Sequence, residues 1–166
     1  MSDGPLIRFE HFLEQFPELE LPMTFTEETV RAISRETPPL SPRVIDQFIL
    51  PVEPGMADEL TEFVACLRLP EADEYAGVVY WRADLAQYHY TLVTFNPNTQ
   101  ELIDRMVIAG TSYDGAEVLQ SQAVLTEALV IYQVSGQSGG GDYDYQAASS
   151  TARRFQIAES GKIVEL

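Results

Sequence analysis

The chain has 166 residues, and its 26 acidic residues against 10 Lys and Arg give a formal net charge of −16 at pH 7. Nucleic acids and anionic lipid headgroups are bound through basic surfaces, so we expect neither nucleic acid nor membrane as a partner. With 45% hydrophobic residues and one cysteine, the sequence is typical of a single globular domain, 1–166, that needs no disulfide.

No segment of the sequence has the features of a membrane span or of a signal peptide. Its apolar runs are far shorter than the ~20 residues that cross a bilayer. The N-terminal residues 1–5 carry neither a basic stretch nor an apolar one. We therefore expect a cytoplasmic protein.

Aromatic residues at helical spacing mark the first predicted element. Four apolar residues lie at positions i, i+3, i+4 and i+7, on one face of a short helix: Phe9, Phe12, Leu13 and Phe16. Pro17 is expected to end this helix. The following segment, 19–25, alternates apolar and polar residues but contains a proline, which is typical of extended chain or an edge strand.

Two more short helices are predicted before residue 51. The first has Thr26 as its N-cap, with Val30 and Ile33 on its buried face. The second has Ser41 as its N-cap and Pro42 at its first helical position. Residue 51 is itself a proline, near which this helix is expected to end.

The hydrophobic period changes from 3.6 residues to two near residue 60. From there the sequence predicts short strands separated by turn-forming residues: 60–69, 75–83, 86–95, 101–109, 117–125, 128–134, 152–158 and 163–166. In the first of these strands, strict alternation would place four apolar residues on one face: Phe63, Ala65, Leu67 and Leu69.

Short connections require neighbouring strands to be antiparallel, because a parallel crossover needs a dozen or more residues. The predicted fold class is therefore α+β. Short helices in residues 1–50 are expected to pack on an antiparallel meander of residues 60–166, which forms a curled sheet or a half-open barrel.

One connection, 136–150, is much longer than the two to five residues of an ordinary hairpin loop. Three consecutive glycines and several serines predict a flexible loop. Four residues in it are candidates for contact with a partner or a cation, because tyrosines give contact area and carboxylates give charge: Asp142, Tyr143, Asp144 and Tyr145. The alternative is a flexible connection with no role.

A second candidate binding surface consists of aromatic residues in two neighbouring predicted strands. Trp81 precedes a turn, and Tyr88 and Tyr90 follow it, so the two strands are expected to pair as a hairpin. Such cross-strand aromatic residues commonly stabilise a sheet. The alternative is a site for a small ligand at the mouth of a curled sheet.

The sequence contains no recognisable catalytic or metal-binding set. His11 and His89 are far apart and lack the spacing of zinc ligands. Cys66 lies among apolar residues of a predicted strand, where a thiol is expected to be buried and unreactive. We therefore assign no catalytic residue and expect neither a metal nor a cofactor. The pattern favours a non-enzymatic function.

Several short segments of the chain resemble a bacterial protein family. These segments are FPELELPMTF (16–25), VVYW (78–81), LVTF (92–95), ELIDR (101–105) and IAG (108–110). They are similar to segments of uncharacterised small acidic α+β proteins that are common in the Bacteroidetes lineage. The resemblance extends over most of the chain and implies a bacterial protein. It implies no functional residue, because that family has no assigned activity.

Negative charge is concentrated in the first part of the chain, with 16 acidic and five basic residues up to Tyr75. Glu71, Asp73 and Glu74 cluster in a predicted turn, where they are expected to be exposed. An acidic surface accelerates association with a basic protein. A charged surface that serves only solubility is the alternative.

Two functions of different class are compatible with the sequence. The first is a binding protein that engages a basic protein partner, and an immunity-type neutraliser of a basic toxin is one concrete form of it. The second is a small-ligand binder or weak enzyme with its site around Trp81, Tyr88 and Tyr90. The missing catalytic set favours the first.

Overall fold

The computed structural model describes residues 6–85, 87–114, 117–139 and 150–166. Within these residues the chain forms nine strands of one antiparallel sheet and a few short helices near the N-terminus. The α+β class and the antiparallel sheet predicted from the sequence are confirmed. No helix of this described part is long and apolar enough to cross a membrane.

The helical elements all precede residue 53. Helix α1 spans Phe9–Glu14, α2 spans Thr29–Glu36 and α3 spans Pro42–Val44. From its last residue α3 continues as a wider π-helical turn over Ile45–Ile49 and a tighter 3₁₀ turn over Leu50–Val52. The predicted cap of α3 is present, because Ser41 Oγ accepts a hydrogen bond from Val44 N at 3.3 Å.

The strands follow one another in the sheet in their order along the chain. They are β1 (Met23–Phe25), β2 (Glu62–Arg68), β3 (Ala76–Ala83), β4 (Tyr88–Phe95), β5 (Leu102–Asp114), β6 (Glu117–Leu125), β7 (Val130–Gly139), β8 (Thr151–Ile157) and β9 (Ile163–Glu165). Strands β2 to β9 form the continuous path, and β1 pairs with β6.

Strand β5 is longer than predicted, because Gly110 lies within the strand and does not begin a turn. Up to Gly110, β5 pairs with β4, and from Gly110 to Asp114 it pairs with β6. Further along β6, the segment Ala123–Leu125 pairs with β1 instead. Gly110 is thus the point at which β5 passes from one neighbouring strand to the other.

The first residues of the predicted flexible loop 136–150 belong to a strand. Residues 136–139 continue β7 and pair with residues 117–120 of β6, so this part of the prediction is wrong. The Gly and Ser residues that favoured a loop can equally form the end of a strand when a partner strand is available. The candidate residues Asp142, Tyr143, Asp144 and Tyr145 lie outside the described residues.

Two hydrophobic cores lie on opposite faces of the β2–β4 region. One joins α1 and the helical segment 42–52 to the sheet, with the Phe12 ring stacked on Phe48 at 4.4 Å between centroids and set edge-on to Phe95 at 5.7 Å. The other contains residues of β1, α2 and most strands from β2 to β8, including the fully buried Phe25, Leu92 and Ile131. Burial on both faces explains why these strands lack a clear polar face.

The sheet is not closed, since β2 and β9 are the two ends of its path. The far end of the sheet nevertheless contacts its middle. Asp104 Oδ2 of β5 accepts a hydrogen bond from Ile163 N of β9 at 2.8 Å, and Thr94 Oγ1 of β4 donates to Gly161 O at 2.7 Å. These two bonds hold the β8–β9 turn against β4 and β5.

Candidate functional site

The aromatic residues selected from the sequence lie together on one face of the sheet. Trp81 and Tyr90 are direct partners across β3 and β4. The ring centroids of Trp81 and Tyr88 are 6.3 Å apart, and those of Tyr88 and Tyr90 are 6.2 Å apart. The hairpin that brings the three side chains together follows from the antiparallel register.

The hydroxyl of Tyr90 is engaged within the fold. It donates a hydrogen bond to Thr26 O at 2.6 Å and accepts one from Val30 N at 3.0 Å. The side chain is fully buried, and burial raises the pKa of its phenol. Tyr90 thereby anchors the start of α2 to the sheet, and its hydroxyl is not turned toward solvent. Trp81 Nε1 is buried without a hydrogen-bond partner in the described structure.

The predicted steering residues Glu71, Asp73 and Glu74 lie in the connection from β2 to β3. All three are exposed. The connection forms one wall of a groove beside α1, which Glu71 lines, and of a separate hollow near residues 156–159, which the other two line. Their role in steering a partner stays a prediction.

The remaining residues of chemical interest do not form a reactive site. Cys66 is fully buried, and burial raises the pKa of its thiol. His11 is exposed and lies 3.9 Å from Glu14. Among the described residues, no group of three or more His, Cys, Asp or Glu side chains is arranged to hold a metal ion.

A buried ionic network lies where the chain enters the sheet, and the sequence analysis missed it. The Glu53 carboxylate is 2.7 Å from Arg105 Nη2 and 3.4 Å from Arg82 Nη1. The Glu53 side chain is only 4% exposed, and that of Arg82 only 9%. Because a buried charge is costly unless it is paired, the three side chains depend on one another.

Arg82 also binds the backbone and a second carboxylate. Its Nη2 donates to Met56 O at 2.7 Å, and its Nε donates to Asp84 Oδ2 at 3.1 Å. Asp84 in turn accepts a hydrogen bond from Thr61 Oγ1 at 2.9 Å. Burial opposes ionisation of Asp84, but the bonds from Arg82 and Thr61 outweigh it and lower the carboxyl pKa.

These bonds hold three turns together at one end of the molecule. The turns contain residues 53–57, residues 58–61, and residues 84, 85 and 87, and each presents one large apolar side chain to solvent. Met56 is 95% exposed, Leu85 is 88% exposed and Leu60 is 66% exposed. We call these three side chains the apolar tip.

The apolar tip is surrounded by negative charge. Three exposed acids lie next to Leu60. Asp58 and Glu59 are in the turn of residues 58–61, and Glu62 is the first residue of β2. Single exposed apolar residues are common on protein surfaces, whereas these three lie on turns that hydrogen bonds join. The arrangement suits a partner with an apolar patch bordered by basic side chains.

A signal for the apolar tip was present in the sequence. Each of its residues follows turn-forming or acidic residues, as in Pro54-Gly55-Met56, Asp58-Glu59-Leu60 and Asp84-Leu85. An apolar side chain in such a turn has no regular face to pack against. What the sequence could not indicate was that the three turns meet, since that depends on Arg82.

His89 lies beside the ionic network and provides a pH test of it. It is the partner of Arg82 across β3 and β4 and is half-buried. Burial lowers the pKa of its imidazole, and the charges of Glu53 and Asp84 oppose this less strongly. The folded state therefore binds the proton less tightly than the unfolded chain does.

We expect a pH-dependent loss of stability that belongs to His89. The neutral His89 imidazole contributes to the free energy of unfolding. This contribution is fully present above the imidazole pKa of the unfolded chain, about 6.5, and is lost as the pH falls through the lower pKa of the folded chain. In urea unfolding between pH 7 and pH 5, the unfolding free energy of the wild type should fall more steeply than that of His89→Asn, by at most about 1.4 kcal/mol per pH unit. Equal slopes for His89→Asn and the wild type would contradict the assignment.

Comparisons of the chain with protein-family models, with curated proteins and with solved structures give no match. The resemblance to small acidic proteins of the Bacteroidetes lineage therefore stays a prediction.

Proposed function

We propose that the chain is a non-enzymatic binding protein that engages a basic protein partner through the apolar tip. The observation that carries this proposal is the presence of three strongly exposed apolar side chains on turns that Arg82 and Asp84 link. Exposing such side chains in water is unfavourable, and a partner that covers them gains hydrophobic free energy.

The charge of the chain supports a basic partner. The acids next to the apolar tip, Asp58, Glu59 and Glu62, would border the contact, where charges set specificity and association rate. Glu71, Asp73 and Glu74 would add to the long-range attraction without touching the partner. The same charge opposes a nucleic acid or an anionic membrane. A neutraliser of a basic toxin is one form that such a protein takes.

The ionic network prepares the apolar tip for binding. Because Arg82 already fixes the turns that carry Met56 and Leu85, little further ordering is needed when a partner arrives. Binding surfaces that are ordered in advance lose less conformational entropy on association. The buried charges therefore have a function in binding even though no partner touches them.

A small-ligand site around Trp81, Tyr88 and Tyr90 is the second candidate. Its support is the buried Trp81 Nε1, which has no hydrogen-bond partner in the described structure. Tyr90 contributes no free hydroxyl to such a site, since both of its hydrogen bonds go to the backbone of residues 26 and 30. The apolar tip is accessible without any rearrangement and is the stronger candidate.

The test is affinity capture from an extract of the cells that make the protein, followed by mass spectrometry. The variant carries Met56→Ser, Leu60→Ser and Leu85→Ser. A matched control carries Val134→Ser, Val164→Ser and Leu166→Ser, which remove exposed apolar groups from another part of the surface. We expect the wild type and the control to capture a basic protein that the tip variant captures at least tenfold less.

The captured protein also allows a kinetic test. Its association rate with the wild type should fall as salt rises, because the Debye length is only about 8 Å at physiological ionic strength. Equal capture by the tip variant and the wild type would refute the proposed contact surface. A captured protein that is acidic, or whose association does not depend on salt, would refute the basic partner.

A further inference from the structure

A narrow groove lies at the opposite end of β3 from the apolar tip. It runs between α1 and the connection from β2 to β3, and it encloses about 200 Å³. Its floor is apolar and consists of side chains that are each less than 9% exposed: Phe9, Leu13, Leu69 and Tyr75. Sites for whole small-molecule ligands usually measure roughly 300–1,000 Å³, so this groove has room for about one side chain.

Two carboxylates stand on the two sides of the groove. Glu10 belongs to α1, and Glu71 belongs to the connection from β2 to β3. Glu71 is exposed and has no ion-pair partner in the described part of the chain. Glu10 lies 3.6 Å from Arg8 Nε, but both side chains are largely exposed, so this ion pair is weak and easily exchanged.

Arg68, the one cation that lines the groove, forms no ion pair with these two acids in the described structure. Arg68 Nη1 is 3.9 Å from Glu18, on the chain segment after α1, and the Arg68 backbone N–H donates to Pro17 O at 2.8 Å. The ion pair that Arg68 forms in the described structure is thus with Glu18, outside the groove lining. Asp73 and Glu74 follow closely in the chain and add to the negative potential near the groove.

We propose that this groove binds the side chain of an arginine or a lysine that a partner protein presents. The aliphatic stem would lie on the apolar floor formed by Phe9, Leu13 and Leu69, and the charged head would lie between Glu10 and Glu71. Arginine and lysine commonly bury their stems in this way while the charge stays at the surface. An aliphatic side chain would leave both carboxylates without a role, and an acidic one would be repelled.

The groove assigns a specific role to one of the three acids selected from the sequence. Glu71 would touch the bound cation, whereas Asp73 and Glu74 would act only through their field. This inference does not depend on the apolar tip, because the two surfaces lie at opposite ends of β3 and share no residue. Either can therefore fail while the other stands.

The probe is the peptide acetyl-Gly-Arg-Gly-amide, and its citrulline counterpart is the neutral control of nearly the same shape. Both are titrated into the ¹⁵N-labelled protein and followed by NMR. We expect saturable shifts with the arginine peptide at the amides of Leu13, Leu69 and Gly77, which line the groove. Equal shifts with citrulline, or shifts spread over the acidic surface without saturation, would overturn the proposal.

A pair of variants separates the groove from overall charge. Glu71→Gln should weaken binding of the arginine peptide about two- to fivefold, as expected for one exposed ion pair. Glu36→Gln, at the exposed end of α2, removes the same charge elsewhere and should leave the affinity unchanged. Because Glu71 is exposed and unpaired, its variant is expected to fold, which the unchanged remainder of the NMR spectrum verifies. If both variants weakened binding of the arginine peptide equally, the net charge of the protein would explain the binding, and the proposed site would be refuted.

Discussion

Replacing Arg82 with methionine is expected to lower the free energy of unfolding by about 3–5 kcal/mol. Methionine keeps much of the apolar stem but removes the guanidinium that binds Glu53, Asp84 and the carbonyl of Met56. The Glu53 carboxylate would keep only Arg105 as an ion-pair partner among the described residues, in a position that water barely reaches. Urea unfolding of the two proteins measures the difference.

A surface ion pair provides the control for this experiment. Arg153 Nη2 lies 2.6 Å from Glu165 Oε1, closer than the Arg82 contacts, but both side chains are about half exposed. Arg153→Met is expected to leave the unfolding midpoint almost unchanged, because water solvates the Glu165 carboxylate that remains. If Arg82→Met and Arg153→Met lowered the unfolding free energy by similar amounts, burial of the Arg82 ion pairs would not explain the loss.

Replacing Gly110 with alanine is expected to cost about 3 kcal/mol or more in unfolding free energy. Gly110 has a φ of +147°, which residues with a Cβ rarely adopt. A Cβ there would lie 2.3 Å from Tyr88 O and 2.9 Å from His89 Cα. These are backbone atoms of β4, so relief of the clash requires the paired strands to separate. Thermal and urea unfolding measure the loss.

Gly55 is the matched control for this substitution. A Cβ on Gly55 would have Arg82 Nη1 as its nearest contact, at an ordinary 3.8 Å, and its φ lies outside the left-handed range. Gly55→Ala is therefore expected to change the unfolding free energy by only about 0.5 kcal/mol or less. A tolerated Gly110→Ala would show that β5 can change its pairing partner without the close approach seen here.

Local signals in the sequence predicted α1 and the start of α3 well, whereas α2 begins at Thr29 with Glu28 as its N-cap and not Thr26 as predicted. The start of α3 depends on Ser41 and Pro42, and both the cap bond and the proline position are present. The aromatic face of α1 is buried as its spacing requires. Capping and amphipathic spacing are properties of neighbouring residues, so one sequence contains the information they need.

The strands were predicted less well where their course depends on a partner. Alternation placed Phe63, Ala65, Leu67 and Leu69 on one face, but Phe63 and Ala65 belong to one core and the two leucines to the other. The register of β2 and β3 shifts between Ala65 and Leu67, and the bulge turns the rest of β2 over. Nothing in an alternating sequence marks such an extra residue.

The candidate contact surfaces were only partly predictable for the same reason. Glu71, Asp73 and Glu74 are exposed, as a charged turn should be. The apolar tip depends on Glu53, Arg82 and Arg105, which come from three distant segments. In the sequence, each of these three residues is expected to be an ordinary surface charge. Only the folded chain shows that they are paired and buried.

The pairing of β1 with β6 has a consequence for how the protein is made. Phe25 lies opposite Ala123, so its partner strand is synthesised roughly 5–20 s later at ordinary elongation rates. Until then Phe25, which is fully buried in the finished fold, can contact Tyr90 of β4 but lacks its partner strand. Pairing of β1 therefore has to await synthesis of β6, whereas the start of α2 can already bind Tyr90 of β4. Strand β1 thus completes its pairing late in translation, although it leaves the ribosome long before β6 does.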